Sequence, residues 1–184
     1  MSFSIPITKN ISEINLQQGV FIFIHRASKV PPHIGMVVNG VLFEISTIGP
    51  GYTHKAIDLL KTSQKRGVEL IFLELKESSR SLTELKEIML RFVKYYRKVD
   101  EEITCLFPIK DFIQEVYQVE VSKANFIFNL LPVLYDNDCI INSYEVNLTD
   151  KLKDNSFELK KYTKQDIDKC VAAVNRKNNL EVSC

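Results

Sequence analysis

Asn39-Gly40 constrains the fold more than any other feature of this chain. Two β-rich runs, Pro32 to Val38 and Val41 to Ser46, flank it, and the dipeptide accepts the positive φ angles of a type I′ turn. A two-residue loop pairs Val38 with Val41, so the register of the whole hairpin can be worked out. Gly35 falls opposite Glu44, and His33 opposite Ser46. Side chains alternate between faces, and directly paired residues share one. One face therefore carries Ile34, Met36, Val38, Val41, Phe43 and Ile45. The other carries His33, Gly35 and Val37 with Leu42, Glu44 and Ser46. An imidazole and a carboxylate are thus expected diagonally across a strand pair, roughly 7 Å apart between backbones. Gly35 is expected to leave the space between them open. Such a pair orients a base, and what it lacks is a nucleophile.

A chain of 184 residues can bury a proper core and is expected to form one domain, 1–184. Lys and Arg total 24 and Asp and Glu 23, a net charge of +1. That balance leaves no electrostatic footprint for nucleic acid or an anionic membrane, and neither is expected as a partner. No apolar run approaches the roughly 18 residues of a transmembrane segment. The amino terminus lacks the basic start and continuous apolar centre of a secretory signal, so a cytoplasmic location is expected. The four cysteines show no CxxC or Cys/His metal spacing, so neither metal nor cofactor is expected and the thiols should be reduced. Asp136 and Asp138 suit a turn rather than a metal site.

Periodicity outlines the rest. Gly19 to His25 is a continuous apolar run that reads as a buried strand, and Val68 to Leu75 as another. His54 to Lys65 carries a modest helical signal ended by Gly67. From Leu82 to Tyr96 apolar residues recur by threes and fours, with Ser81 as N-cap. Ile109 to Tyr117 marks a second amphipathic helix with Pro108 in its first turn, where a missing N–H costs little. Asn125 to Leu134 could be a strand or a buried turn, and Tyr135 to Asp138 a turn. Short strands are expected at Ser143 to Leu148 and Phe157 to Tyr162. A final helix begins at Thr163, with Asp166 at capping-box spacing. The order gives an α+β domain, an antiparallel β-sheet packed against helices.

A His–carboxylate pair becomes catalytic machinery when a Cys or Ser is delivered to the imidazole. Cys184 is terminal. Cys170 lies beside Val171 and Val174 in the last helical pattern, and Cys139 precedes Ile140-Ile141; both are expected in the core. Cys105 differs, because it stands where a polar loop enters an amphipathic helix. There the unpaired N–H groups and the helix dipole favour a thiolate, and the same N–H groups could hold an oxyanion. His25 and His54 are expected on the surface or in loops.

These residues, in this order, resemble the circularly permuted NlpC-type papain-like proteins of bacteria and poxviruses, a superfamily of cysteine amidases and peptidases related to the lecithin:retinol acyltransferase group. The likeness lies in Gly19-Val-Phe-Ile-Phe-Ile, Pro32-His33-Ile-Gly-Met-Val-Val-Asn-Gly, Val41-Leu-Phe-Glu44, a helix, and Val68-Glu-Leu-Ile-Phe-Leu. The resemblance implies a permuted papain-like core over 17–135. It implies His33 as the base, Glu44 as the orienting residue and Cys105 as the nucleophile, with Tyr96 matching a tyrosine ahead of the cysteine. Departures are Val20 where the family has Asp, Leu106 where it has a small polar residue, and Pro108, which has no counterpart and biases Phe107 away from helical angles. The polar extension, 142–184, has no assigned role.

The expected activity is that of a cysteine hydrolase or acyltransferase acting on an amide, ester or thioester through an acyl-enzyme, with a small-molecule, lipid-like or peptide substrate. The alternative is a catalytically silent module that keeps the fold and binds a ligand or partner. The oligomeric state is left open.

Overall fold

A computed structural model describes residues 3–182; Cys184 lies outside the described residues. The amino-terminal half runs β1 (Phe3–Pro6), β2 (Lys9–Asn10), α1 (Glu13–Gln18), β3 (Val20–His25), β4 (His33–Val38), β5 (Val41–Ile45), β6 (Pro50–Gly51), α2 (Ala56–Arg66) and β7 (Leu70–Leu75). Three helices follow, α3 (Leu82–Tyr96), α4 (Phe107–Tyr117) and α5 (Ile127–Asp136), then β8 (Ile140–Val146), β9 (Ser156–Leu159) and α6 (Lys164–Val182).

The β4–β5 hairpin closes as its turn chemistry dictates. Asn39 and Gly40 take φ of 49° and 76°, and Met36, Val37 and Val38 pair with Phe43, Leu42 and Val41. The hairpin belongs to a seven-stranded sheet of order β2-β8-β7-β3-β4-β5-β6, and β1 pairs with β9 in a separate two-stranded sheet. The pairings are antiparallel except that of β2 with β8, which is parallel over two residues. The architecture is α+β, with antiparallel sheets packed against helices.

Helices cover both faces of the main sheet, which is why its central strands are apolar throughout rather than alternating. Ile22, Ile24, Met36, Phe43 and Leu73 enter the larger core beneath α3, α4 and α5. Phe21, Phe23, Val37, Leu42 and Phe72 form a second core with Leu16 of α1 and Ala56 and Leu60 of α2. Each fully buried Val, Leu, Ile, Met or Phe side chain contributes about 1.5–3 kcal/mol.

Helix α3 spans the residues its periodicity marks, and Ser81 and Glu84 form a reciprocal capping box at its start. Helix α6 starts where Thr163 and Asp166 cap each other. The Thr163 N–H and hydroxyl donate to Asp166 Oδ2 at 2.8 and 2.9 Å, and the Asp166 N–H returns a bond to Thr163 Oγ1 at 3.3 Å.

The expectation for Asn125 to Leu134 is revised. Asn125 to Leu134 is neither strand nor buried turn: most of it is helix α5, with Ile127, Leu130, Leu131 and Leu134 buried. Those four follow helical spacing, but in a continuous apolar run that signal is hidden by its neighbours. Strand β8, which leads into the polar segment 142–184, lies inside the main sheet, between β2 and β7.

Candidate active site

Three elements bring the candidate residues together. His33 opens β4, Glu44 stands near the end of β5, and Cys105 lies in the turn just before α4. His33 Nε2 is 2.5 Å from Glu44 Oε2, and Cys105 lines the same cavity as His33, close enough for its side chain to act on the imidazole. Glu44 occupies Nε2, which leaves Nδ1 as the ring nitrogen able to meet the thiol. About a third of each side chain is exposed, 32% for His33 and 28% for Glu44, so the pair is reachable from solvent.

Electrostatics follow from these contacts. Burial opposes charge on His33, but hydrogen bonds and Coulombic attraction from Cys105 and Glu44 outweigh it and push the ring up to about 10 from an ordinary 6.5. Burial also opposes charge on Glu44. The bond from His33 and the fields of His33, His25 and His54 nevertheless hold its carboxyl below the usual 4.5. The imidazole is therefore cationic and the carboxylate anionic at neutral pH.

Gly35 does not leave the expected gap. A Cβ there would meet the Phe23 ring at 2.6 Å and the Phe43 carbonyl oxygen at 2.7 Å. The absent side chain makes room for Phe23, whose ring meets the His33 imidazole edge-on at 6.1 Å between centroids. Glycine here serves a close approach that braces the imidazole ring.

The turn carrying Cys105 departs from the expected helix start. Leu106, the residue before the helix, is already in right-handed helical conformation, and Phe107 opens α4 despite preceding Pro108. The Leu106 N–H donates to Thr104 Oγ1 at 3.3 Å and the Phe107 N–H to the Thr104 carbonyl at 3.1 Å. Thr104 thus takes up two N–H groups that sequence reasoning offers to an oxyanion. Tyr96 braces α4 from outside, its hydroxyl donating to Asp111 Oδ2 at 2.5 Å and its ring 5.5 Å from that of Phe107.

His25 is more than a surface or loop histidine. It ends β3, pairs directly with His33 across the strands, and shares with His33, Glu44, Phe23, Leu42 and Leu59 a small hollow on the α2 side of the sheet. Burial, then the charges of His33 and Arg26, lower its pKa, with Glu44 opposing. Only the β3–β4 register reveals this, and the seven-residue link between the strands gives no turn rule to set it.

Cys139 is fully buried and Cys105 partly so. Cys170 is exposed rather than in the core, because it lies on the part of the α6 stripe that opens onto a cavity, beyond the packed Ile167. That cavity, about 290 Å³, is lined by Cys105 and His33 together with Tyr162, Ile167, Cys170 and Val171, among others. Burial and the neighbouring Cys105 push the Tyr162 hydroxyl above its ordinary pKa. No sequence signal connects Tyr162 with Cys105.

Among the described residues, no group of three or more His, Cys, Asp or Glu could hold a metal ion, and no helix is long and apolar enough to cross a membrane. Comparison of the chain with family models, with curated proteins and with solved structures finds no match.

Proposed function

We propose that the protein is a cysteine hydrolase or acyltransferase, on a permuted papain-like fold of the NlpC type, that acts on an amide, ester or thioester. The observation that carries this reading is the imidazole of His33 shared between a carboxylate and a thiol. In the reaction, the proton shared by Cys105 and His33 already rests on the imidazole, so Sγ attacks as the thiolate and forms a bond to the substrate carbonyl carbon. The bond from that carbon to the leaving group breaks, and the leaving group departs with the proton from His33. Water or a second acceptor then gives a proton to His33 and attacks the thioester. Cys105 Sγ leaves, and the acyl group is carried away as acid or transferred product. Glu44 keeps the ring oriented and offsets its charge.

The test is to mix the protein with p-nitrophenyl acetate, quench with acid and map the acetyl group by mass spectrometry. The reading expects transient acetylation of Cys105, lost in His33→Ala. A protein acetylated equally at Cys105 and the exposed Cys170, with His33→Ala indistinguishable, is the silent binding module instead.

A further inference from the structure

Helix α6 carries one apolar stripe that the fold leaves partly uncovered. Ile167, Cys170, Val171 and Val174 stand at the spacing that puts them on one helical face, and all four line the cavity shared by Cys105 and His33. Ile167 is 9% exposed and Val174 36%, so the stripe becomes more open along the helix. Ile48, 82% exposed, lines the same cavity. The start of this wall is held firmly. The Tyr162 ring packs edge-on against Phe126 and Phe128, 5.3 and 5.2 Å between centroids, and the Thr163–Asp166 cap sets where the helix begins.

Resting on the reading of Cys105 as nucleophile, we infer that this stripe is the specificity wall of the site. An acyl donor with an aliphatic chain lays that chain against Ile167, Val171 and Val174 while its carbonyl carbon meets Cys105 Sγ. The occupant is a small-molecule chain and not a partner's helix or strand. A cavity of about 290 Å³ is at the small end for small-molecule sites, and the reactive thiol is part of its wall. When Sγ bonds to the carbonyl carbon, the ester C–O bond breaks and the alcohol leaves with the His33 proton. The chain then stays on Cys105 as a thioester, packed against α6, until water releases it as the acid.

The experiment compares kcat/KM for p-nitrophenyl acetate and p-nitrophenyl octanoate in the full chain, in Val171→Ser and in Val174→Phe. The wild type should prefer octanoate. Val171→Ser, by weakening the wall, should lower the octanoate-to-acetate ratio on the order of tenfold, and Val174→Phe should lower it by filling the space. Equal values for the two esters in the wild type, or a ratio unmoved in both variants while Cys105 is still acylated, overturns the wall and leaves the cysteine chemistry standing. No acylation of Cys105 by either ester removes both.

Discussion

His33 Nε2 and Glu44 Oε2 face each other at 2.5 Å from the two strands of one hairpin, while the same imidazole meets the thiol of Cys105, which arrives from a turn far along the chain. A ring held this way is charged at neutral pH and braced on one side by Phe23. On the proposed mechanism such a ring pairs with the thiolate and delivers a proton to the leaving group without reorienting.

Removing the Glu44 charge should release the imidazole. In Glu44→Gln the His33 titration midpoint, followed by NMR of the ring protons, should fall from about 10 toward its ordinary 6.5. On the proposed mechanism kcat/KM should drop on the order of 10²–10⁴-fold. A midpoint that stays near 10 would show that Glu44 does not hold the charge.

Cys105 should react selectively with iodoacetamide, because the thiolate is the reactive form and the proposed mechanism places its counter-ion, the His33 imidazolium, beside it. Peptide mapping should find Cys105 modified well ahead of the exposed Cys170, and His33→Ala should abolish the difference. Equal labelling of the two thiols argues against the ion pair.

Stability should depend on pH through the same pair. His33 has a folded pKa above its unfolded value, so its contribution is complete below about pH 6.5 and is lost as pH rises through about 10. Glu44 has a depressed pKa, so its contribution is complete above about pH 4.5 and is lost on further acidification. The urea midpoint should therefore be lower at pH 10 than at pH 6, and by less in His33→Gln. An identical drop in the two proteins would assign the loss to other groups.

Gly35→Ala should destabilise the protein by about 1–3 kcal/mol. The added methyl would stand 2.7 Å from the backbone oxygen of Phe43, which cannot swing aside, and 2.6 Å from the Phe23 ring. Urea denaturation measures the effect, and an unchanged midpoint would mean that the strand can shift to admit the methyl.

The parts legible from sequence are those governed by near neighbours. Asn39-Gly40 imposes a two-residue loop, and the register of Met36, Val37 and Val38 follows from counting. The helix Leu82–Tyr96 declares itself by its spacing and by Ser81 at its cap. Asn125 to Leu134 stays ambiguous because every plausible period fits a run of apolar residues. Cys170 misleads because a helical apolar stripe looks the same whether it faces a packed core or an open cavity.

By itself the sequence determined the hairpin, its turn, its two faces and the caps of α3 and α6, because turn geometry and side-chain periodicity act over a few residues. Only the tertiary structure decided that the Cys105 thiol reaches the His33 imidazole, that Phe23 fills the space beside Gly35, and that α6 walls the cavity around them. Those relationships join residues remote along the chain, and they arise from how helices settle on the two faces of a sheet, a packing outcome that no local pattern encodes.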